Sequence, residues 1–354
     1  MTLTTLGLPA IRRGDDEPPA EMPRSGPLVD TFGRVATDLR VSLTDRCNLR
    51  CTYCMPAEGL DWLPGDELLT RDELVRLLTL AVTRLGITSV RFTGGEPLLY
   101  RELEDVVSAV AALRPRPEIA LTTNGLGLAR RARALADAGL NRVNVSLDTV
   151  DAEHFAAITR RDRLSDVLDG LSAAAAAGLG PVKVNAVLDH DSGLDDAVEL
   201  LEYCLRYGYQ LRIIEQMPLD ASHLWRRDAN LGADEIFAAL AAHFDLTPDP
   251  APRGSAPAQL WQVNGGPATV GIIASVSHAF CSACDRTRLT ADGQIRNCLF
   301  SAEESDLRVL LRRGADDDAL ESAWRAAMWR KAAGHGINNP DFVQPQRPMS
   351  AIGG

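Results

Sequence analysis

The run RVSLTDRCNLRCTYCMP at residues 40–56 places Cys47, Cys51 and Cys54 in the spacing CxxxCxxC, directly after a short β-branched stretch that reads as a strand over 39–43. Three thiolates on one loop can hold three irons of a cubane and leave the fourth open to a substrate or cofactor chelate, whereas structural zinc normally recruits a fourth protein ligand. The spacing therefore points to chemistry. A zinc site completed by a remote His or Asp is the plainer alternative. Working outward, strand-like runs recur at 90–93, 119–122, 143–147, 182–187 and 211–217, and the segments between them have helical periodicity. At 70–85, for example, Thr70 and Glu73 have capping-box spacing ahead of Leu74, Leu77, Leu78 and Ala81. Alternation of strand and helix implies stacked βαβ units in an α/β fold. Six units are fewer than the eight of a full barrel, so an open partial barrel and a doubly wound sheet both satisfy the pattern.

The chain has 354 residues, 45% of them hydrophobic, which is long for one compact domain and enough to bury a full core. Residues 1–29, with Pro18, Pro19, Pro23 and Pro27 and a charged run, read as a disordered leader. The strand-helix alternation occupies 30–245. The segment 248–257 also holds four prolines and reads as the connection to a smaller domain over 246–340, with helices expected at 304–313 and 316–333 and a tail over 341–354. A net charge of −11 disfavours a broad nucleic-acid or anionic-membrane surface, though not a local basic pocket for a small anion. No run approaches eighteen apolar residues and no apolar signal core opens the chain, so a soluble, cytoplasmic protein is expected. Of seven cysteines, six fall in two tight groups and only Cys204 stands alone, which is metal spacing and not a disulfide framework.

The second group lies in FCSACDRTRLTADGQIRNC at 280–298, where Cys281, Cys284 and Cys298 again offer three thiols without a fourth. A second open cluster fits this pattern, with a zinc knuckle using His278 as its rival. Arg286 and Arg288 stand at alternate positions and could face one side of an extended segment, where their planar forks suit phosphate oxygens.

The first cysteine loop, followed one βα unit later by GGEP at 94–97, resembles the radical S-adenosylmethionine (SAM) superfamily. Paired glycines allow close backbone approach, and Glu96 could stabilise an ammonium group. That resemblance implies a partial (βα)6 TIM-like barrel with a smaller C-terminal cluster-binding domain. The FGR of 32–34, LTTNG of 121–125, NVSLD of 144–148, VKVN of 182–185, RIIEQM of 212–217, SVS of 275–277, the second cysteine group and the terminal Gly353 and Gly354 extend the likeness to the GTP 3',8-cyclase family over about residues 30–354.

The resemblance implies two 4Fe-4S clusters. The first, on Cys47, Cys51 and Cys54, would generate a 5'-deoxyadenosyl radical from SAM held at Tyr53, Gly95, Ser146 and Met217. The radical would take the 3' hydrogen of GTP ahead of ring closure onto C8, giving 3',8-cyclo-7,8-dihydroguanosine 5'-triphosphate at the start of molybdenum cofactor (molybdopterin) biosynthesis. The second cluster, on Cys281, Cys284 and Cys298, would orient the guanine. GTP contacts are implied at Arg40, Arg91, Thr122, Lys183, Arg286, Thr287 and Arg288, and Gly353 and Gly354 would enter the active site. Arg40, Arg91 and Lys183 fall within strand runs, where an unpaired cation is costly to bury and a triphosphate would remove the cost. Implied partners are a low-potential electron donor, a downstream cyclic pyranopterin monophosphate synthase and a second copy of the chain in a homodimer. Many relatives carry a lysine two residues before Arg91; this chain has Ser89, so one phosphate contact is missing or supplied from elsewhere.

Overall fold

The computed structural model describes residues 21–190 and 193–353; residues 1–20, most of the expected leader, and Gly354 lie outside the described residues. A small antiparallel pair, β1 (Leu28–Val29) and β2 (Val35–Ala36), precedes the main sheet. The chain then runs through β3 (Asp38–Ser42), α1 (Arg71–Arg84), β4 (Ser89–Thr93), α2 (Leu103–Ala111), β5 (Glu118–Thr123), α3 (Leu128–Ala138) and β6 (Arg142–Ser146). Two helices, α4 (Ala152–Thr159) and α5 (Leu164–Ala176), lead to β7 (Lys183–Val187), α6 (Gly193–Tyr207), β8 (Gln210–Ile214) and α7 (Ala233–Ala241).

Strands β3 to β8 are parallel and lie side by side in chain order. A doubly wound sheet must reverse its order at a switch point, and this one never does, so right-handed crossovers place the helices on one side, as in a (βα) barrel. Because β3 and β8 are not partners, the six strands form an open barrel.

The remaining chain flanks both open edges. Beside β8 comes β11 in parallel and then β10 and β9 antiparallel, from β9 (Leu246–Pro248), β10 (Gln259–Val263) and β11 (Thr269–Ile273). Beside β3 comes β12 (Arg286–Leu289) in parallel, then β13 (Gln294–Arg296) and β14 (Ser305–Asp306) antiparallel. The later chain thus contributes to both edges of the twelve-stranded sheet instead of forming a sheet of its own. The proline-rich segment is the loop of an edge hairpin, where Pro248 in β9 removes no interior ladder bond. Closing the chain are α8 (Leu307–Arg312), α9 (Asp317–Trp329) and α10 (Met349–Ile352). Both penultimate helices are shorter than expected: Asp306 pairs as strand before capping α8, and α9 stops at Trp329.

Period-two alternation sorts the barrel's side chains. Leu39, Val41, Val90, Phe92, Ile119 and Leu121 are fully buried in the hydrophobic core with α1 residues such as Leu77 and Leu78, while Arg40 and Arg91 take the opposite parity. Helix α1 starts as its sequence indicates, with the Glu73 amide donating to Thr70 Oγ1 at 3.2 Å and the Thr70 amide to Glu73 Oε2 at 2.8 Å.

Candidate active site

The concave side of the sheet is cationic. Arg40, Arg91, Arg212 and Arg288 are each no more than 8% exposed and line one cavity with Thr122, Asn185, Arg286 and Met217. Register explains the grouping: Arg288 is the Cα partner of Arg40, and Arg40 of Arg91. Asp38 accepts from Arg40 at 3.3 Å, but Arg91 Nε is buried with no partner among the described residues. Burial, then the charge of Arg40, holds Arg91 well below the usual arginine range. Burial likewise pushes Arg212 down to about 9, helped by Arg142 and Arg40, and Arg288 down to about 9, helped by Arg40. Lys183, first residue of β7, is pushed down to about 8 by burial, then by Arg212, Arg142 and Arg91. Cations this crowded and this dry are costly without an anion among them.

The expected Arg40, Arg91, Thr122, Arg286 and Arg288 therefore share one cavity, and Lys183 lies within electrostatic reach of its arginines. Thr287 does not share it. Its side chain is fully buried on the other face of β12, where Oγ1 accepts from Trp324 Nε1 at 3.1 Å. Arg212, whose guanidinium donates to Asn185 Oδ1 at 3.0 and 2.8 Å, is a further arginine of this cavity that the resemblance did not imply, although like Arg40 it is a cation inside a β-branched run.

The first cysteine loop leaves the end of β3 and is clamped by guanidinium groups: Arg50 donates to Cys47 O at 2.7 Å, and Arg160 to Arg50 O at 2.7 Å and Met55 O at 3.1 Å. The GGEP turn packs directly on it. A Cβ on Gly95 would lie 2.3 Å from Arg46 O and 2.4 Å from Asp45 O, and the Gly95 and Glu96 amides donate to Thr44 O and Arg46 O at 2.7 and 2.8 Å. The glycines thus give close approach to the cysteine loop itself. Glu96, 1% exposed, accepts from the Leu98 and Asn124 amides and Thr123 Oγ1 at 2.7–2.9 Å, which ties neighbouring turns to it and leaves part of its acceptor capacity over. Burial pushes Cys47 up, raises Cys51 well above its ordinary range with help from Asp148, and raises Cys54 to about 12 with help from Cys47 and Asp220. Tyr53 donates to Asp148 Oδ2 at 2.8 Å and borders a second cleft with Ile158, Val187 and Gln216, whereas Met217 faces the main cavity and Ser146 ends β6.

The connection from β11 to β12 links the strands that flank the six-stranded barrel on either side and carries Cys281 and Cys284; Cys298 follows β13, and all three border the main cavity. His278 is exposed beside Asp234 at 3.3 Å and does not border that cavity, which removes it as a fourth ligand. Burial pushes Cys281 up; at Cys284 the Lys331 and Arg286 charges outweigh burial, and its thiol falls below the ordinary range. Among the described residues, only His154, Asp189 and Asp196 offer three ligand atoms within 4.8 Å of one another. There both imidazole nitrogens already meet carboxylates at 2.9 and 2.8 Å. Neither cysteine trio closes to that distance. Two thiolates on one zinc at ~2.3 Å each can be at most ~4.6 Å apart, so neither trio is gathered as a closed three-thiolate zinc site among the described residues.

The segment from Met349 to Gly353 reaches the same cavity, while Gly354 lies outside the described residues. Met349 lines it, Gly353 is buried with φ +84°, and the Gly353 carbonyl accepts from Arg288 Nη1. A Cβ on Gly353 would lie 2.7 Å from Thr93 Cγ2.

Residues 41–204 match the radical SAM superfamily, and residues 209–337 match the family described as molybdenum cofactor synthesis C. The chain is 77% identical to a GTP 3',8-cyclase of Mycobacterium sp. (strain KMS) over the full length of both, and 75% identical to that of Mycolicibacterium smegmatis, again over both full chains. A GTP 3',8-cyclase 2 of Mycobacterium tuberculosis is 72% identical over both full lengths. Among solved structures, Streptococcus suis SuiB bound to S-adenosylmethionine superposes with a TM-score of 0.57 at 15% identity, over 86% of this chain and 66% of that one, a likeness of fold.

Proposed function

The chain belongs to the GTP 3',8-cyclase family of radical SAM enzymes, and from that premise we propose that the cationic cavity holds GTP between two iron-sulfur sites, one at Cys47, Cys51 and Cys54 and one at Cys281, Cys284 and Cys298. The reaction is cyclisation of GTP to 3',8-cyclo-7,8-dihydroguanosine 5'-triphosphate, the entry to molybdenum cofactor synthesis. The observation that carries the reading of the site is the set of four buried arginines on one cavity wall, Arg91 with an unpartnered Nε. Only a polyanion answers that much positive charge out of water.

When bound, a 4Fe-4S cluster on the Cys47 loop supplies the electron that cleaves SAM reductively. The protein's own part is binding and exclusion. Arg40, Arg91 and Lys183 neutralise the triphosphate, and Arg212 and Arg142, both felt at Lys183, supply the charge that Ser89 does not. Arg286 and Arg288 grip the substrate from β12, with Thr122 offering its hydroxyl and Thr287 only its backbone. Arg288 is oriented by the Gly353 carbonyl, and the buried tail closes the cavity to water. Tyr53, Gly95, Ser146 and Met217 surround SAM, with Tyr53 fixed by Asp148. A low-potential donor reduces the first cluster and a cyclic pyranopterin monophosphate synthase takes the product, in the cytoplasm. Among the described residues, no helix is long and apolar enough to cross a membrane.

The test is anaerobic incubation of the reconstituted protein with SAM, GTP and a reductant. 5'-Deoxyadenosine is expected to form in step with GTP loss, and Cys47→Ala to abolish both. Undiminished turnover in that variant would refute the assignment of the first cluster.

A further inference from the structure

Lys331 lies just beyond α9 and is 3% exposed. A lysine is seldom buried so completely without a carboxylate partner. Its ammonium has none among its hydrogen-bond partners in the described residues: Nζ donates to Arg286 O at 2.8 Å, to Cys284 Sγ at 3.3 Å and to Cys284 O at 3.5 Å. Two carbonyls thus aim a full positive charge at one sulfur, and that sulfur is the single group in reach able to carry the opposite charge. Arg286 also approaches it, with Nη1 at 3.7 Å, but Arg286 faces the cavity and spends Nη2 on Ser255 O at 2.6 Å. Lys331 does not border the cavity, so it is not placed to touch a nucleotide.

The two cysteine trios differ in sign of environment. Carboxylates predominate at the first: Glu96 is felt at Cys47, where Arg50 opposes it more weakly, Asp148 at Cys51 and Asp220 at Cys54. Cations face the second: Lys331 and Arg286 at Cys284, Arg34 at Cys281. Charge around a cluster and hydrogen bonds to its sulfurs set its reduction potential.

We propose that Lys331 is the charge-compensating residue of the second iron-sulfur site, acting through the Cys284 sulfur to hold the potential of that cluster up. The inference rests on the reading that Cys281, Cys284 and Cys298 carry a cluster. Three thiolates leave a cubane negative, and reduction adds a further negative charge. An ammonium at hydrogen-bond distance favours the reduced state more than the oxidised one. Lys331 is a positioning residue, since its effect reaches the iron through sulfur.

The test uses the full-length chain, reconstituted anaerobically, as wild type, Lys331→Gln and Lys331→Arg. Iron per chain is counted first, and the clusters are then titrated with an EPR-monitored reductant in the absence of SAM and GTP. Wild type is expected to hold about eight irons and show two reduction steps. In Lys331→Gln, which keeps a donor but not the charge, the second step is expected to become at least tenfold less favourable, about 59 mV more negative for one electron, with the first step unmoved. Lys331→Arg should return it towards wild type. Should Lys331→Gln lose the second cluster while Lys331→Arg keeps it, the charge is again what matters, and the proposal stands. An unshifted second step in Lys331→Gln, equal shifts in both variants, or loss of that cluster from both would overturn the proposal while leaving the two-cluster reading intact. A wild-type count of about four irons would overturn the two-cluster reading itself, and the proposal with it.

Discussion

Replacing Arg91 by Met should make the nucleotide-free protein more stable and GTP binding weaker. Arg91 is 8% exposed, its Nε has no partner among the described residues, and burial together with Arg40 holds its pKa well down. Asp38 feels Arg91 as well, but Arg40, the larger of the charges on it, remains 3.3 Å away. Exchanging a buried ion for an apolar side chain of similar volume is often stabilising, by ~1–4 kcal/mol. With ~2.1 cal/mol/K of unfolding entropy per residue, a chain of 354 residues gains ~1 °C in Tm for each ~0.7 kcal/mol, so the expected rise is ~1–5 °C. Nucleotide should work against that gain and narrow the difference in Tm. Losing ~2 kcal/mol of charge-assisted contact weakens GTP ~30-fold. At a concentration a hundred times the wild-type Kd, GTP stabilises wild type by ~2.7 kcal/mol and the variant by only ~0.9 kcal/mol. Thermal unfolding of anaerobic protein, followed by circular dichroism with and without GTP, reads both effects. A lower Tm for Arg91→Met without nucleotide would mean that the guanidinium is satisfied within the protein, and the argument from unanswered charge to a polyanion would fail.

Gly95→Ala places a methyl 2.3 Å from Arg46 O, a backbone atom that can yield only by moving the cysteine loop. Iron per chain should fall by about half and 5'-deoxyadenosine formation should cease, and an alanine variant with full iron would contradict the packing argument. Lys183 gives a pH dependence: burial, then the neighbouring arginines, depresses its pKa to about 8, and GTP binding requires the charged form. Affinity should be full below about pH 8 and decline as pH rises through that value, while Lys183→Arg, whose guanidinium starts from a higher ordinary pKa, should move this decline to higher pH. Calorimetric titration from about pH 7 to about pH 9.5 checks it; a wild-type Kd that is flat across that range counts against it. The same depressed pKa means that the unfolded chain binds the extra proton between about 8 and the ordinary 10.5, so the nucleotide-free fold should gain stability as pH rises through that window.

The barrel was legible because each unit repeats two simple periods. Leu39, Val41, Val90 and Phe92 show the alternation, and Thr70 with Glu73 marks where a helix begins. What periodicity could not supply was the winding, since six βα units have the same local pattern whether the order reverses or not; the cysteine loop decided that. Beyond residue 246 the local signals misled. Prolines that read as a domain connection belong to an edge strand and its hairpin loop, and parallel pairing of β12 with β3 joins residues about 250 apart in sequence, which no local pattern records.

Within the site, the difference between what was and was not readable follows the range of the interactions. Arg286 and Arg288 were legible as a pair because alternation is a property of adjacent residues, and the same alternation turns Thr287 away toward Trp324. Arg212, like Arg40, is a cation inside a β-branched run, a pattern that marks a buried charge without saying what it binds; the resemblance implied a role for Arg40 and not for Arg212. Lys331 carried none. It follows a helix in a polar stretch and would pass for a solvated charge, yet its partners lie 45 and 47 residues earlier in the chain. A buried lysine bonded to a cysteine sulfur exists only after β12 has been added to the edge of β3 and the chain has turned back beneath it. The electrostatic contrast between the two thiol trios is therefore a product of tertiary folding, although every thiol involved could be named from the sequence.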